Sequence, residues 1–91
     1  MPNSKEDAIA KARQDLAKRL GVNEKEVKEG GVEDVEFPDT SLGAGTDDEM
    51  SGQMLTKGWR IRLHANNRSY EYRADRHQVR LYNYKGRNYV L

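Results

Sequence analysis

The stretch Trp59-Arg60-Ile61-Arg62-Leu63-His64-Ala65-Asn66-Asn67-Arg68-Ser69-Tyr70-Glu71-Tyr72-Arg73-Ala74 decides the fold. Trp59, Ile61, Leu63 and Ala65 alternate with Arg60, Arg62 and His64, the period-two pattern of a half-buried strand. Asn66-Asn67 tolerates the positive φ angles of a two-residue hairpin turn. Closing the turn there pairs Ala65 with Arg68, Leu63 with Tyr70, Ile61 with Tyr72 and Trp59 with Ala74. Every large apolar residue then shares one face, and a slip of one residue would undo that.

The same logic extends in both directions. Asp75-Arg76-His77-Gln78 makes a second turn, after which Ala74 meets Val79 and Tyr72 meets Leu81, so a three-strand meander is predicted. The tail, residues 85–91, is expected to pair weakly or fray. Upstream, residues 38–52 (PDTSLGAGTDDEMSG) form one long irregular loop. Gly43, Gly45 and Gly52 bracket a charged stretch within it, and residues 43–52 are expected to be the most mobile internal segment. Before the loop, a strand is predicted from about Val27 to Phe37, with Gly30-Gly31 as a bulge or kink and Pro38 as its end.

Ser4-Lys5-Glu6-Asp7 opens a helix that Gly21 ends. Ser4 caps it, and Glu6 and Asp7 suit the positive end of its dipole. Ile9, Ala12, Leu16 and Leu20 recur at helical spacing, with Ala8 and Ala17 widening the stripe. Leu16 and Leu20 are expected to bury against the sheet. Gly21 suits a left-handed C-terminal cap, and Asn23-Glu24-Lys25-Glu26 reads as one further short turn. The fold class is therefore α+β: one N-terminal helix on an antiparallel sheet of about four strands, with residues 1–91 as a single domain.

Composition narrows the functional classes. The chain has 91 residues, 35% of them hydrophobic and 34% charged, so its core is modest and its surface polar. Without cysteine there is no disulfide framework, thiolate nucleophile or cysteine metal site. Met1-Pro2-Asn3-Ser4-Lys5-Glu6-Asp7 lacks the basic and apolar regions of a signal peptide, and no apolar run is long enough to span a bilayer. A cytosolic monomer without membrane attachment is expected. The net charge of +1 conceals an excess of six acidic groups in residues 1–50 and seven basic groups in residues 51–91. Such a split suits either a nucleic-acid-binding face or two halves of one fold that neutralise each other, and the second is favoured.

Val32-Glu33-Asp34-Val35-Glu36-Phe37-Pro38-Asp39-Thr40-Ser41-Leu42-Gly43 resembles a family of small uncharacterised bacterial proteins. In that family VE-x-VEWPD-x-SLGCP leads to TPGYRIVL and YEYHTD. Here the later pieces read Thr56-Lys57-Gly58-Trp59-Arg60-Ile61-Arg62-Leu63 and Tyr70-Glu71-Tyr72-Arg73-Ala74-Asp75. The resemblance covers roughly residues 5–82, and Pro38 to Gly43 is its most specific piece. Ala44 and Gly45 replace the family's cysteine and proline, so any role of that cysteine is lost here. The helix-then-meander order is also similar to small PepSY-like and cystatin-like modules, some of which bind or restrain peptidases, an analogy of fold alone.

Few residues carry recognisable chemistry. His64 and His77 have no neighbouring ligands at metal spacing, and neither a metal site nor a cofactor is expected. Glu71 lies across the hairpin from Arg62 and reads as a cross-strand ion pair worth about 1 kcal/mol at most. Arg60, Arg62, Arg73 and Arg80, with His64 and Tyr82 beside them, project from the face opposite the core. Interleaved arginines and an aromatic suit phosphate contact and base stacking. No RNA-recognition motif or phosphate loop accompanies them, and a cover of acidic residues over this face is favoured. Asp39, Ser41 and Leu42 form a candidate contact loop, although turn chemistry explains Asp39, Thr40 and Ser41 equally well. Asp47-Asp48-Glu49 lacks calcium-loop spacing.

No nucleophile–base pair or cofactor motif is present, so an enzyme is not expected. The leading reading is a non-catalytic protein-interaction module acting through its sheet face or the 38–52 loop, its protein partner unidentified. The alternative is a weak nucleic-acid binder using the arginine face.

Overall fold

The computed structural model describes residues 4–91. Helix α1 runs Lys5–Leu20. The Ser4 hydroxyl accepts from the Asp7 N–H at 3.2 Å, and Gly21 adopts the left-handed conformation, φ 68°, that ends the helix. Ala8, Ala12, Leu16 and Ala17 form its buried stripe. Leu20, expected to be buried, is only partly so: it is the last helical residue and sits at the rim of the core with Ile9. A 3-10 turn at Glu24–Glu26 follows, closed by a capping box between Asn23 and Glu26.

Five strands make one antiparallel sheet: β1 Lys28–Phe37, β2 Thr56–Ala65, β3 Arg68–Ala74, β4 Val79–Tyr84 and β5 Arg87–Val90. Their spatial order is their chain order. The hairpin register is the one the apolar alternation predicts, from Ala65 opposite Arg68 to Trp59 opposite Ala74. Ala74 likewise faces Val79, and Tyr72 faces Leu81. Asn66 and Asn67 both take positive φ, at 52° and 62°. The register of β1 shifts between Glu29 and Gly31, the bulge expected at the glycine pair. There the His64 ring lies so close that a Cβ on Gly30 would fall 2.1 Å from Nε2.

The tail does not fray. Residues 87–90 form β5, so the sheet has one strand more than the pattern suggested. Tyr89 explains it: its ring packs edge-on against Tyr84 and lies 4.4 Å beneath the Arg19 guanidinium of α1. Arg19 Nε in turn donates to Asp15 Oδ2 at 2.7 Å, and the same oxygen accepts from the Tyr72 hydroxyl at 2.7 Å. Burial and this bond together push the Tyr72 phenol well above its ordinary range. One polar cluster thus ties helix, sheet centre and last strand together.

Strand alternation gives the sheet two faces with different covers. Ile61, Leu63, Tyr72, Ala74, Val79 and Leu81 turn towards α1 and are fully buried with Ala8, Ala12 and Leu16. The alanines let the helix lie close to the sheet. Truncating a leucine buried like Leu16 costs about 2–5 kcal/mol. On the opposite face Phe37 is buried, as are Ser41, Leu42 and Ala44 of the chain that links β1 to β2. At the β2 end of this region Gly58 is obligatory, since a Cβ there would lie 2.2 Å from the Ala74 carbonyl oxygen.

Candidate functional site: an arginine row under a loop

Register aligns three of the four predicted arginines. Arg60 faces Arg73 across β2 and β3, and Arg73 faces Arg80 across β3 and β4. Like charges directly opposite one another destabilise a sheet, so this row needs counter-charges. Glu33, opposite Arg60 on β1, lies 3.8 Å from its Nη1. Glu71 sits between the first two: its Oε2 accepts from Arg73 Nε at 2.8 Å and lies 3.3 Å from Arg60 Nε. The expected Glu71–Arg62 ion pair is therefore corrected. The two residues are opposite in register, yet the carboxylate serves the two crowded guanidiniums, and Arg62 stays exposed.

The linking chain completes the neutralisation. Thr40 N donates to the Gly52 carbonyl at 3.0 Å, and Gly52 N donates to Thr40 Oγ1 at 2.7 Å. These bonds close the neck of a compact Ω-loop. Inside it, Asp39 Oδ1 accepts from the N–H groups of Ser41 and Gly43 at 3.0 and 2.8 Å. That turn puts Leu42 at φ 59° and Gly43 at φ 66°, and it drives the Leu42 side chain into the sheet. The Leu42 carbonyl accepts from Arg73 Nη1 at 3.0 Å, while the Arg73 guanidinium stacks 3.7 Å above the Tyr82 ring. Gln78 Nε2 donates to the Thr40 carbonyl at 2.9 Å, so the turn before β4 also grips the neck.

Arg80 is the deepest of the row, 5% exposed. Its guanidinium donates to both carboxylate oxygens of Glu49, to the Ala44 carbonyl at 3.2 Å and, through Nε, to Gln78 Oε1 at 2.6 Å. Glu49 also accepts from the Thr46 N–H at 3.0 Å. The hydrogen bond from Arg80, reinforced by that of Thr46, holds the Glu49 carboxyl down at about 2. Thr46-Asp47-Asp48-Glu49 carries the T-x-x-E spacing of a capping box, a signal in the sequence that would have indicated an ordered turn.

The arrangement engages most of the candidate residues internally. Arg73 and Arg80 do not form an open face, because the loop lies over them and engages their donors. Tyr82 is half-buried as the platform beneath Arg73. Ser41 and Leu42 point inward instead of forming a contact surface, with the Ser41 hydroxyl hydrogen-bonded to that of Ser51. Asp39 is occupied by its own turn. Residues 43–52 are not free of the core either: Ala44 is fully buried and Asn88 Nδ2 donates to the Gly45 carbonyl at 2.8 Å. The acidic cover favoured from the charge split is present at Glu49, Glu33 and Glu71, the last from the basic half itself.

The histidines lie at opposite ends of the β2–β3 hairpin. His64 Nδ1 pairs with Ser69 Oγ at 2.9 Å, and His77 is exposed in the turn that Asp75 Oδ1 caps through the N–H groups of His77 and Gln78. Among the described residues no group of three or more His, Asp or Glu is placed to hold a metal ion. No helix there is long and apolar enough to cross a membrane.

What the sequence did not single out is the exposed apolar cluster at the end of the loop and just after it. Met50, Met54 and Leu55 are 99%, 66% and 68% exposed. Met54 and Leu55 border a groove of about 660 Å³ at the end of the sheet, lined by Val35, Gly58, Trp59, Arg76 and His77 among others. No curated protein and no solved structure matches the chain. Residues 9–82 match the family described as Domain of unknown function (DUF8738), which covers most of the helix, the loop and the strands through Tyr82, and the chain belongs to that family.

Proposed function

We propose that the protein is a non-catalytic protein-interaction module whose contact surface is the segment 50–55 and the groove beside it. The observation that carries this reading is the concentration of exposed apolar side chains. Of the large hydrophobic residues exposed among the described residues, three of four (Met50, Met54 and Leu55) fall within this one segment. Scattered exposed leucines need no explanation, but a cluster beside a concave surface suits a partner. Methionines adapt their shape to an apolar surface, and Trp59 at the floor of the groove offers an aromatic anchor. The family resemblance to VE-x-VEWPD-x-SLG proteins fits a loop whose motif residues hold its shape, leaving its outer rim to meet the partner. The analogy with PepSY-like and cystatin-like modules adds peptidases to the partner classes worth trying.

The nucleic-acid reading has less support. Of the four arginines only Arg62 remains exposed, so a strand would find neither a continuous cationic track nor a free stacking platform.

The test is recovery of a protein partner and reconstitution of the complex from purified components. Met54→Asp combined with Leu55→Asp should weaken binding about tenfold or more, a change of about 1.4 kcal/mol or greater. Circular dichroism and melting temperature should stay at the parent values. Undiminished binding by the double variant would remove the reading.

A further inference from the structure

Among the described residues β1 is an edge strand paired with β2 alone, and nearly all of it is exposed. Its N-terminal half is interrupted by the bulge, but Val32–Phe37 pairs regularly with β2 and presents a straight outer edge. Unpaired edges recruit further strands, and charge on the edge decides which ones.

From Val32 to Phe37 the strand carries Glu33, Asp34 and Glu36. Alternation places Glu33 on the loop side and Asp34 and Glu36 on the helix side, so carboxylates flank the edge on both faces. Glu33 and Asp34 touch Arg60 and Lys5 of their own chain, yet their side chains remain 62% and 78% exposed. Glu36 forms no ion pair among the described residues. A second copy of β1 would bring carboxylates against carboxylates and is repelled. An incoming strand that alternates lysine or arginine with apolar residues meets a counter-charge in either register. The groove lined by Val35, Leu55 and Trp59 opens beside Asp34, Val35 and Glu36 of this edge and can take one large apolar side chain.

We infer that the β1 edge, Val32–Phe37, receives an extended basic segment of a partner protein by strand addition, with an apolar anchor seated in the groove against Trp59. The inference rests on the interaction-module reading and names the chemistry of its partner.

The probe is a labelled ten-residue peptide that alternates lysine with valine and carries one central phenylalanine. It should bind saturably and slow amide exchange across Val32–Phe37. A matched peptide with glutamate for lysine should not bind. One with proline at alternate valines keeps the charge but loses backbone donors, and it should bind about tenfold more weakly. Glu33→Gln, Asp34→Asn and Glu36→Gln together should weaken the lysine peptide to a similar degree, with the parent circular dichroism spectrum retained. Equal binding of the proline peptide, exchange protection elsewhere than β1, or no saturable binding overturns the assignment. If the peptide fails while the natural partner still depends on Met54 and Leu55, only the edge assignment falls. If the partner ignores both residues, the broader reading falls with it.

Discussion

Arg80 carries its charge where water scarcely reaches, and it donates four hydrogen bonds, one to Gln78 in the turn before β4 and three to two points of the loop. Removing one member of such a pair leaves the other charge buried and poorly matched. Glu49→Gln keeps the shape, and the Ala44 and Gln78 contacts persist, so the expected cost is about 2–3 kcal/mol in urea unfolding. The pH dependence has a definite sign. Because the Glu49 carboxyl is held at about 2, below its ordinary value of 4.5, its contribution is complete above about 4.5 and is lost as the pH falls towards 2. The parent should therefore lose stability across that window faster than Glu49→Gln does. Parallel curves for the two proteins would show that the ion pair contributes nothing.

Among the elements, β2, β3 and β4 were legible because their apolar alternation admits one register. The bulge at Gly30-Gly31 and both caps of α1 were legible because each rests on local backbone chemistry. β5 was not, since Arg87-Asn88-Tyr89-Val90 is too short for a period and is held by Arg19, almost a whole chain away. The packing of the loop was not legible for a similar reason. Its glycines and charges look mobile in isolation, but its anchors are arginines on β3 and β4, and its apolar residues, Leu42 and Ala44, are too few to form a pattern. The clustered exposure of Met50, Met54 and Leu55 gave no signal because an irregular stretch has no period to show which way its side chains face. Tyr89→Ala should lower stability by about 1–2 kcal/mol through loss of the Arg19 and Tyr84 contacts. It should also speed amide exchange throughout residues 87–91, whereas a tail frayed in the parent would show neither change.

Taken whole, the molecule is a sheet with a helix over one face and an Ω-loop over the other, and its acidic and basic halves meet at the second cover. Internal neutralisation predicts little affinity for polyanions. A mixed-sequence single strand should bind weakly at physiological salt, without the slope of about −0.7 per phosphate contact that a cationic track produces. Tight binding abolished by Arg60→Ala with Arg62→Ala would reverse the ranking of functions. The strictly sequential strand order has a kinetic consequence as well. β2, β3 and β4 are joined by turns at Asn66-Asn67 and Asp75–Gln78, so their pairing closes only short loops. β1 reaches β2 only after the chain has run through residues 38–55, and the Glu49 clamp closes only once Arg80 is in place on β4. The meander is thus expected to form the folding nucleus, with the Ω-loop docking after the barrier has been crossed. Glu49→Gln should then accelerate unfolding while leaving the refolding rate near that of the parent, whereas Ile61→Val should slow refolding.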